Sequence, residues 1–155
     1  MRVVAALLLL PGLAYAVAPG EKSESEFMAD AEVICRYEST KRGQLDRDSF
    51  EYCVERQNEA YLEIKWANET LGHKEFYSTF IYPHCYAKGT RRDSSDSSAI
   101  AYCIKDEIDA FESVAYFAEK YDKEKVMSIA AAQMVKFGSW RMAAFELKQI
   151  FEPRP

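Results

Sequence analysis

Residues 35–69, CRYESTKRGQLDRDSFEYCVERQNEAYLEIKWANE, return fifty positions later without a gap as residues 85–119, CYAKGTRRDSSDSSAIAYCIKDEIDAFESVAYFAE. Each copy opens on Cys-x17-Cys. Besides the two cysteines, six positions are identical across this register: Thr40/Thr90, Arg42/Arg92, Asp46/Asp96, Tyr52/Tyr102, Ala60/Ala110 and Glu69/Glu119. Lys41/Arg91, Phe50/Ile100, Val54/Ile104, Tyr61/Phe111, Ile64/Val114 and Trp66/Tyr116 are conservative pairs. A shared period of this length marks one supersecondary unit used twice, an internal duplication.

The apolar spacing within each copy is helical. Phe27, Ala31, Ile34 and Cys35 fall on one face of a first helix, which Gly43 ends. Asp48-Ser49-Phe50-Glu51 has the form of a capping box for a second helix. That helix carries Phe50, Cys53, Val54, Gln57, Tyr61, Ile64 and Trp66 toward a stop at Gly72. In the second copy Phe76, Phe80 and Ile81 start a helical face and Lys88-Gly89 ends it. Pro83 lies inside that face, and an interior proline removes a hydrogen bond and clashes one turn back. A kink or break is therefore expected at Tyr82. The return helix carries Ile100, Cys103, Ile104, Phe111, Val114, Ala118 and Tyr121.

The repeat is lost after Tyr121. Asp122 can cap a helix through Val126, Ile129, Ala130, Met134 and Phe137, with Gly138-Ser139 as stop and new N-cap. A last helix carries Trp140, Ala144, Leu147 and Phe151. No segment alternates with period two, so no sheet is expected. The fold class is all-α: two disulfide-pinned antiparallel helical hairpins, packed with a C-terminal helix pair. Repeat 1 spans about 26–72, repeat 2 about 76–121 and the C-terminal helices 122–152, all in one helical domain, 26–155.

Cys35 and Cys53 are equidistant from a loop centred on Gln44, and Cys85 and Cys103 straddle Ser94 in the same way. Antiparallel helices put equidistant residues side by side, so the pairs expected are Cys35–Cys53 and Cys85–Cys103. No Cys-x-x-Cys redox motif occurs, and the spacing does not suit zinc.

Met1 to Ala16 has the form of a secretory signal: Arg2, the apolar run Val3 to Leu10, and an Ala14-Tyr15-Ala16 cleavage site. The run stops at Pro11-Gly12, short of the roughly 20 residues a membrane span needs. Removing 16 of 155 residues leaves 139 and, with the loss of Arg2, takes the formal charge from −5 to −6. Such a balance disfavours nucleic acid and anionic membranes as partners. An even cysteine count behind a signal reads as an exported protein, periplasmic or extracellular. Residues 17–25 read as a mobile tail. Asn68-Glu69-Thr70 is a glycosylation sequon, relevant in a eukaryotic source.

Candidate chemistry is sparse. Lys41, Arg42, Arg91 and Arg92 form matched basic pairs that could bind an anion, although cations before a helix end and an aspartate after it also satisfy backbone dipoles. The stretch Phe76 to Tyr86 holds too many aromatics for one buried face. Tyr77, Tyr82 and Tyr86 are candidate interface residues, and packing on Trp140 and Phe151 is the competing use. His73 reads as turn chemistry, and His84 has no partner at metal-helix spacing. Neither His-Glu-x-x-His nor Gly-x-Ser-x-Gly occurs. The pair Glu69/Glu119 reads as surface carboxylates. No catalytic, cofactor or metal residue is assigned. The expected function is a non-enzymatic module that binds another protein, of inhibitor, immunity or envelope-assembly type. The alternatives are a carrier of a small apolar ligand and a hydrolase with a dispersed Ser/His/acid site.

Overall fold

The computed structural model describes residues 22–153. The signal-like segment lies outside them. Six α-helices follow one another: α1 (Glu24–Glu38), α2 (Arg47–Leu71), α3 (Tyr82–Gly89), α4 (Ser97–Lys120), α5 (Lys123–Phe137) and α6 (Trp140–Phe151). They form three hairpins, α1–α2, α3–α4 and α5–α6. The second helices α2, α4 and α6 lie side by side in that order, and each first helix packs on its own partner.

Both disulfides pair as the symmetry of the hairpins requires. Cys35–Cys53 has a Cα–Cα separation of 5.5 Å and Cys85–Cys103 one of 5.4 Å, both within the usual range. The turns also match. Thr40–Lys41 (β1) pairs with Gln44–Leu45 (β2), and Thr90–Arg91 (β3) pairs with Ser94–Ser95 (β4). These two short antiparallel ladders are strand pairing that period-two alternation cannot reveal, because each strand has only two residues. The central residues Arg42-Gly43 and Arg92-Asp93 all have positive φ, as a type I′ hairpin turn demands.

α1 starts at Glu24, inside the stretch read as a tail. Ser23 and Glu26 form a reciprocal capping box there, and Lys22 is paired with Asp30. α2 starts earlier than the Asp48 box suggests: Asp46 is the N-cap and accepts from the Ser49 N–H. Asp96 does the same for α4 with Ala99, and Asp122 for α5 with Lys125. Gly138 closes α5 in the left-handed conformation.

Pro83 changes the helix type. Residues Phe76–Ile81 form a π-helical turn, with the Tyr82 N–H donating to the Tyr77 carbonyl, and α3 begins at Tyr82. An α-helix would set residues five apart about 140° from each other. The wider turn instead brings Tyr77 and Tyr82 to one face, their rings 6.1 Å apart. Both tyrosines, with Tyr86, are therefore at most 7 % exposed. The three candidate interface tyrosines are core residues, so no interface role at the surface is open to them. Of the stretch, Phe80 remains exposed, while Phe76 stacks on Phe111 at 4.1 Å and Phe111 meets Trp140 edge-on.

Two apolar clusters share α4. Its first half (Ile100, Ala101, Cys103, Ile104) joins Phe27, Ile64, Tyr77, Ile81 and Tyr82. Its second half (Val114, Phe117) joins Val126, Ala130, Ala143 and Leu147. Trp140 packs against both clusters, so α4 is the central beam of the fold. Gly89 allows the close passage of α3 over α4: a Cβ there would meet Ile100 Cγ1 at 2.4 Å.

Candidate functional site

The outer face of α2 and α4 is the strongest candidate. α2 buries Gln57, Ala60, Ile64 and Ala67, and the opposite side of the helix reads Tyr52, Glu55, Glu59, Leu62 and Trp66. In α4 the matched outer positions are Tyr102, Lys105, Asp109, Glu112 and Tyr116. Tyr52, Trp66, Tyr102 and Tyr116 are each between 52 and 67 % exposed. Trp66, read from sequence as part of the apolar stripe, lies off it. Sixteen residues after Phe50, at about 100° each, it has rotated by about 160°.

α4 runs parallel to α2 but displaced along it. Gln57, in the middle of α2, reaches the first turn of α4, where it donates to Asp96 at 2.8 Å and accepts from the Ser98 N–H at 3.3 Å. Further along, Trp66, Ile64 and Ala67 face Ala101, Ile104 and Ile108 across a groove of about 290 Å³. Glu63, Lys105 and Asp109 stand along its walls. Among the described residues, Glu55, Glu59, Glu63, Asp109 and Glu112 make no ion pair. The face is thus aromatic at its ends, acidic along its length and apolar in its groove.

α6 meets α4 by the same device that joins α4 to α2. Glu107, buried at the position matching Gln57, accepts from Ser139 Oγ at 2.6 Å, from the Trp140 N–H at 2.6 Å and from the Arg141 N–H at 3.3 Å. A carboxylate at a helix N-terminus satisfies N–H groups that lack intrahelical partners. Arg141 closes the contact with Asp106 at 2.9 Å. His84 stands beside this cluster, its Nε2 3.9 Å from Glu107 Oε1. His84, Glu107 and Ser139 are thus brought together, but the serine donates to the acid. In a nucleophilic triad the serine is bonded to the histidine and the histidine to the acid. The arrangement is a helix cap.

The basic pairs sit at the two hairpin turns. Lys41, Arg42, Arg91 and Arg92 are all exposed. The second turn is docked on α1, with Ser95 N–H donating to Asp30 at 2.8 Å and Lys22 Nζ to the Asp93 carbonyl at 2.7 Å. The Asn68 amide of the sequon is held by the Tyr77 hydroxyl at 2.6 Å. His73, Glu69 and Glu119 lie at the surface. Among the described residues no cluster of His, Cys, Asp or Glu can hold a metal ion, and no helix is long and apolar enough to cross a membrane.

Sequence reading missed Gln57 and Glu107 as a functional pair of joints. The available signal was a polar residue at the matched position of both apolar stripes. Comparison with protein families, curated proteins and solved structures finds no match to this chain.

Proposed function

We propose that this protein is an exported module that binds another protein through the outer face of α2 and α4. The observation that carries the reading is the recurrence of exposed aromatics at matched positions: Tyr52 with Tyr102, and Trp66 with Tyr116. Single exposed apolar residues are ordinary on a protein surface. Large rings at the same two places on α2 and α4 stay more than half exposed, even though Arg56 lies over Tyr52 and Lys120 over Tyr116. Tyrosine and tryptophan are the residues that concentrate binding energy at interfaces. Other exposed apolar residues, such as Val33 and Tyr37 on α1 or Met142 and Phe145 on α6, have no such recurrence; the positions matching Val33 and Tyr37 hold Pro83 and Ala87. Two disulfides and the signal-like N-terminus support export to an oxidising compartment.

The carrier reading is less well supported. The space between the hairpins is occupied by Tyr77, Ile81, Tyr82, Ile100 and Ile104, all buried, and the apolar groove beside Trp66 is a surface feature.

Alanine at Tyr52, Trp66, Tyr102 and Tyr116 together is the direct test, read as retention of the partner on immobilised oxidised protein. Truncating interface anchors costs on the order of 2 kcal/mol each at the strongest positions, so retention should fall to background while thermal unfolding is nearly unchanged. Undiminished retention would remove the reading.

A further inference from the structure

The charge and spacing of the same face narrow the partner's chemistry. We infer that the segment it takes is a Lys/Arg-bearing amphipathic helix. This inference rests on the protein-binding reading above. Glu55, Glu59 and Glu63 follow one another at four-residue intervals along the outer side of α2, which is about 6 Å per step along the axis. A helix lying on α2 with cations four residues apart meets these carboxylates in register. Asp109 and Glu112 give α4 the same sign, and Lys105 is the single cation lining the groove. Since the five carboxylates make no ion pair among the described residues, they stand free to pair across an interface. The groove beside Trp66, about 290 Å³ and lined by Ile64, Ala67, Ala101, Ile104 and Ile108, offers a seat for an apolar anchor of a docked helix. Helix-in-groove docking uses such apolar anchors with flanking charges for register. An acidic segment or a nucleic acid would meet like charge at Glu55, Glu59, Glu63, Asp109 and Glu112, against the cations Arg56 and Lys105 on the same face.

Fluorescence anisotropy with three labelled 18-residue peptides tests this. All share one leucine stripe, and their polar faces are lysine, glutamine or glutamate. The mature oxidised protein should bind the lysine peptide about tenfold more tightly than the glutamine peptide at low salt, as several exposed ion pairs together would give. The gap should close at high salt. Glu59→Lys/Glu63→Lys/Asp109→Lys should transfer the preference to the glutamate peptide. Glu59→Gln/Glu63→Gln/Asp109→Asn should abolish it without reversal, which keeps the test valid if the lysine variant folds poorly. Glu32→Lys/Glu38→Lys/Glu124→Lys carries the same change in net charge away from the face and should leave the preference intact.

Equal binding of the lysine and glutamine peptides would overturn the basic-helix inference and leave the binding face standing. Loss of preference in the Glu32/Glu38/Glu124 variant would overturn it as a net-charge effect. Failure of all three peptides to bind would overturn the inference and count against the face itself.

Discussion

Gln57 and Glu107, fifty positions apart, each reach from the middle of a long helix to the N-terminus of the second helix of the next hairpin. The joint is the same in placement but different in strength. Gln57 exchanges one hydrogen bond in each direction with α4, whereas Glu107 accepts three from α6. A buried group with three donors is costly to remove, because the donors lose their partner together; the expected loss is about 1–3 kcal/mol. Glu107→Ala should therefore destabilise more than Gln57→Ala. Amide exchange at Trp140 and Arg141 should accelerate in the first variant, and at Ser98 in the second. Equal destabilisation, with exchange unchanged at those amides, would show that the joints are not what holds the hairpins in sequence.

The disulfides should act on each hairpin separately. The chain-entropy account gives about 3 kcal/mol for closing a loop of this size. Cys35→Ser/Cys53→Ser and Cys85→Ser/Cys103→Ser should each lower stability by up to that amount and leave the far-ultraviolet circular dichroism helical. The second pair is the more critical, since Cys85 and Cys103 lie in the larger core cluster. A cross-linked peptide joining Cys35 or Cys53 to either cysteine of the other hairpin, in non-reducing mapping, would contradict the pairing.

The hairpin turns hold residues in a conformation that suits glycine. Arg92 and Asp93 have φ of 49° and 68°, where the first turn has Arg42 at 53° and glycine at 43. A residue with a Cβ carries a conformational cost in this region, less for Asn and Asp than for Arg. Replacing Arg92-Asp93 by Asn-Gly should raise stability by about 0.5–1 kcal/mol. Gly43→Ala should lower it by about 1 kcal/mol. Chemical denaturation of the two variants measures both, and the opposite order would sink this account of the turns.

Much of this was legible in the sequence, and the failures have physical causes. The disulfides were readable because a hairpin's symmetry fixes which residues face each other. Asp96, Asp122 and Gly138 were readable because capping chemistry is local. Tyr77, Tyr82 and Tyr86 were named as candidate interface residues because Pro83 was expected to kink or break the helix and turn part of the stretch outward, whereas the π turn re-phases the face and buries all three. Trp66 was misplaced because aromatic character was allowed to outweigh its angle on the helix. Gln57 sat in the apolar stripe in plain view, but its role depends on the neighbouring hairpin, which no local pattern encodes. The proposed binding face was present as matched pairs, Tyr52/Tyr102 and Trp66/Tyr116, whose exposure only the structure shows.

Acid should weaken the fold in a defined direction. The Lys120 ammonium, hydrogen-bonded to Glu152, holds that carboxyl below its ordinary 4.5. The Ser49 N–H and hydroxyl hold Asp46 below 3.8, and the Ser23 cap holds Glu26 below 4.5. In each case the folded state binds the proton less readily than the unfolded chain. The stabilisation is therefore complete above the ordinary values and lost as pH falls through the depressed ones. Denaturation midpoints should fall steadily from about pH 5 to about pH 2, and Glu152→Gln should narrow that difference. An unchanged pH dependence in Glu152→Gln would show that the tie between α4 and the end of α6 contributes nothing.

The central claim is that the partner sits on the outer face of α2 and α4. Site-specific photo-crosslinking in the producing cell tests it most directly, with p-benzoylphenylalanine at Leu62 or Glu112 on that face, and at Tyr37 or Val135 on other exposed surfaces. The account predicts one discrete adduct, common to positions 62 and 112 and absent from 37 and 135. The same adduct from 37 or 135, with none from 62 and 112, would contradict it.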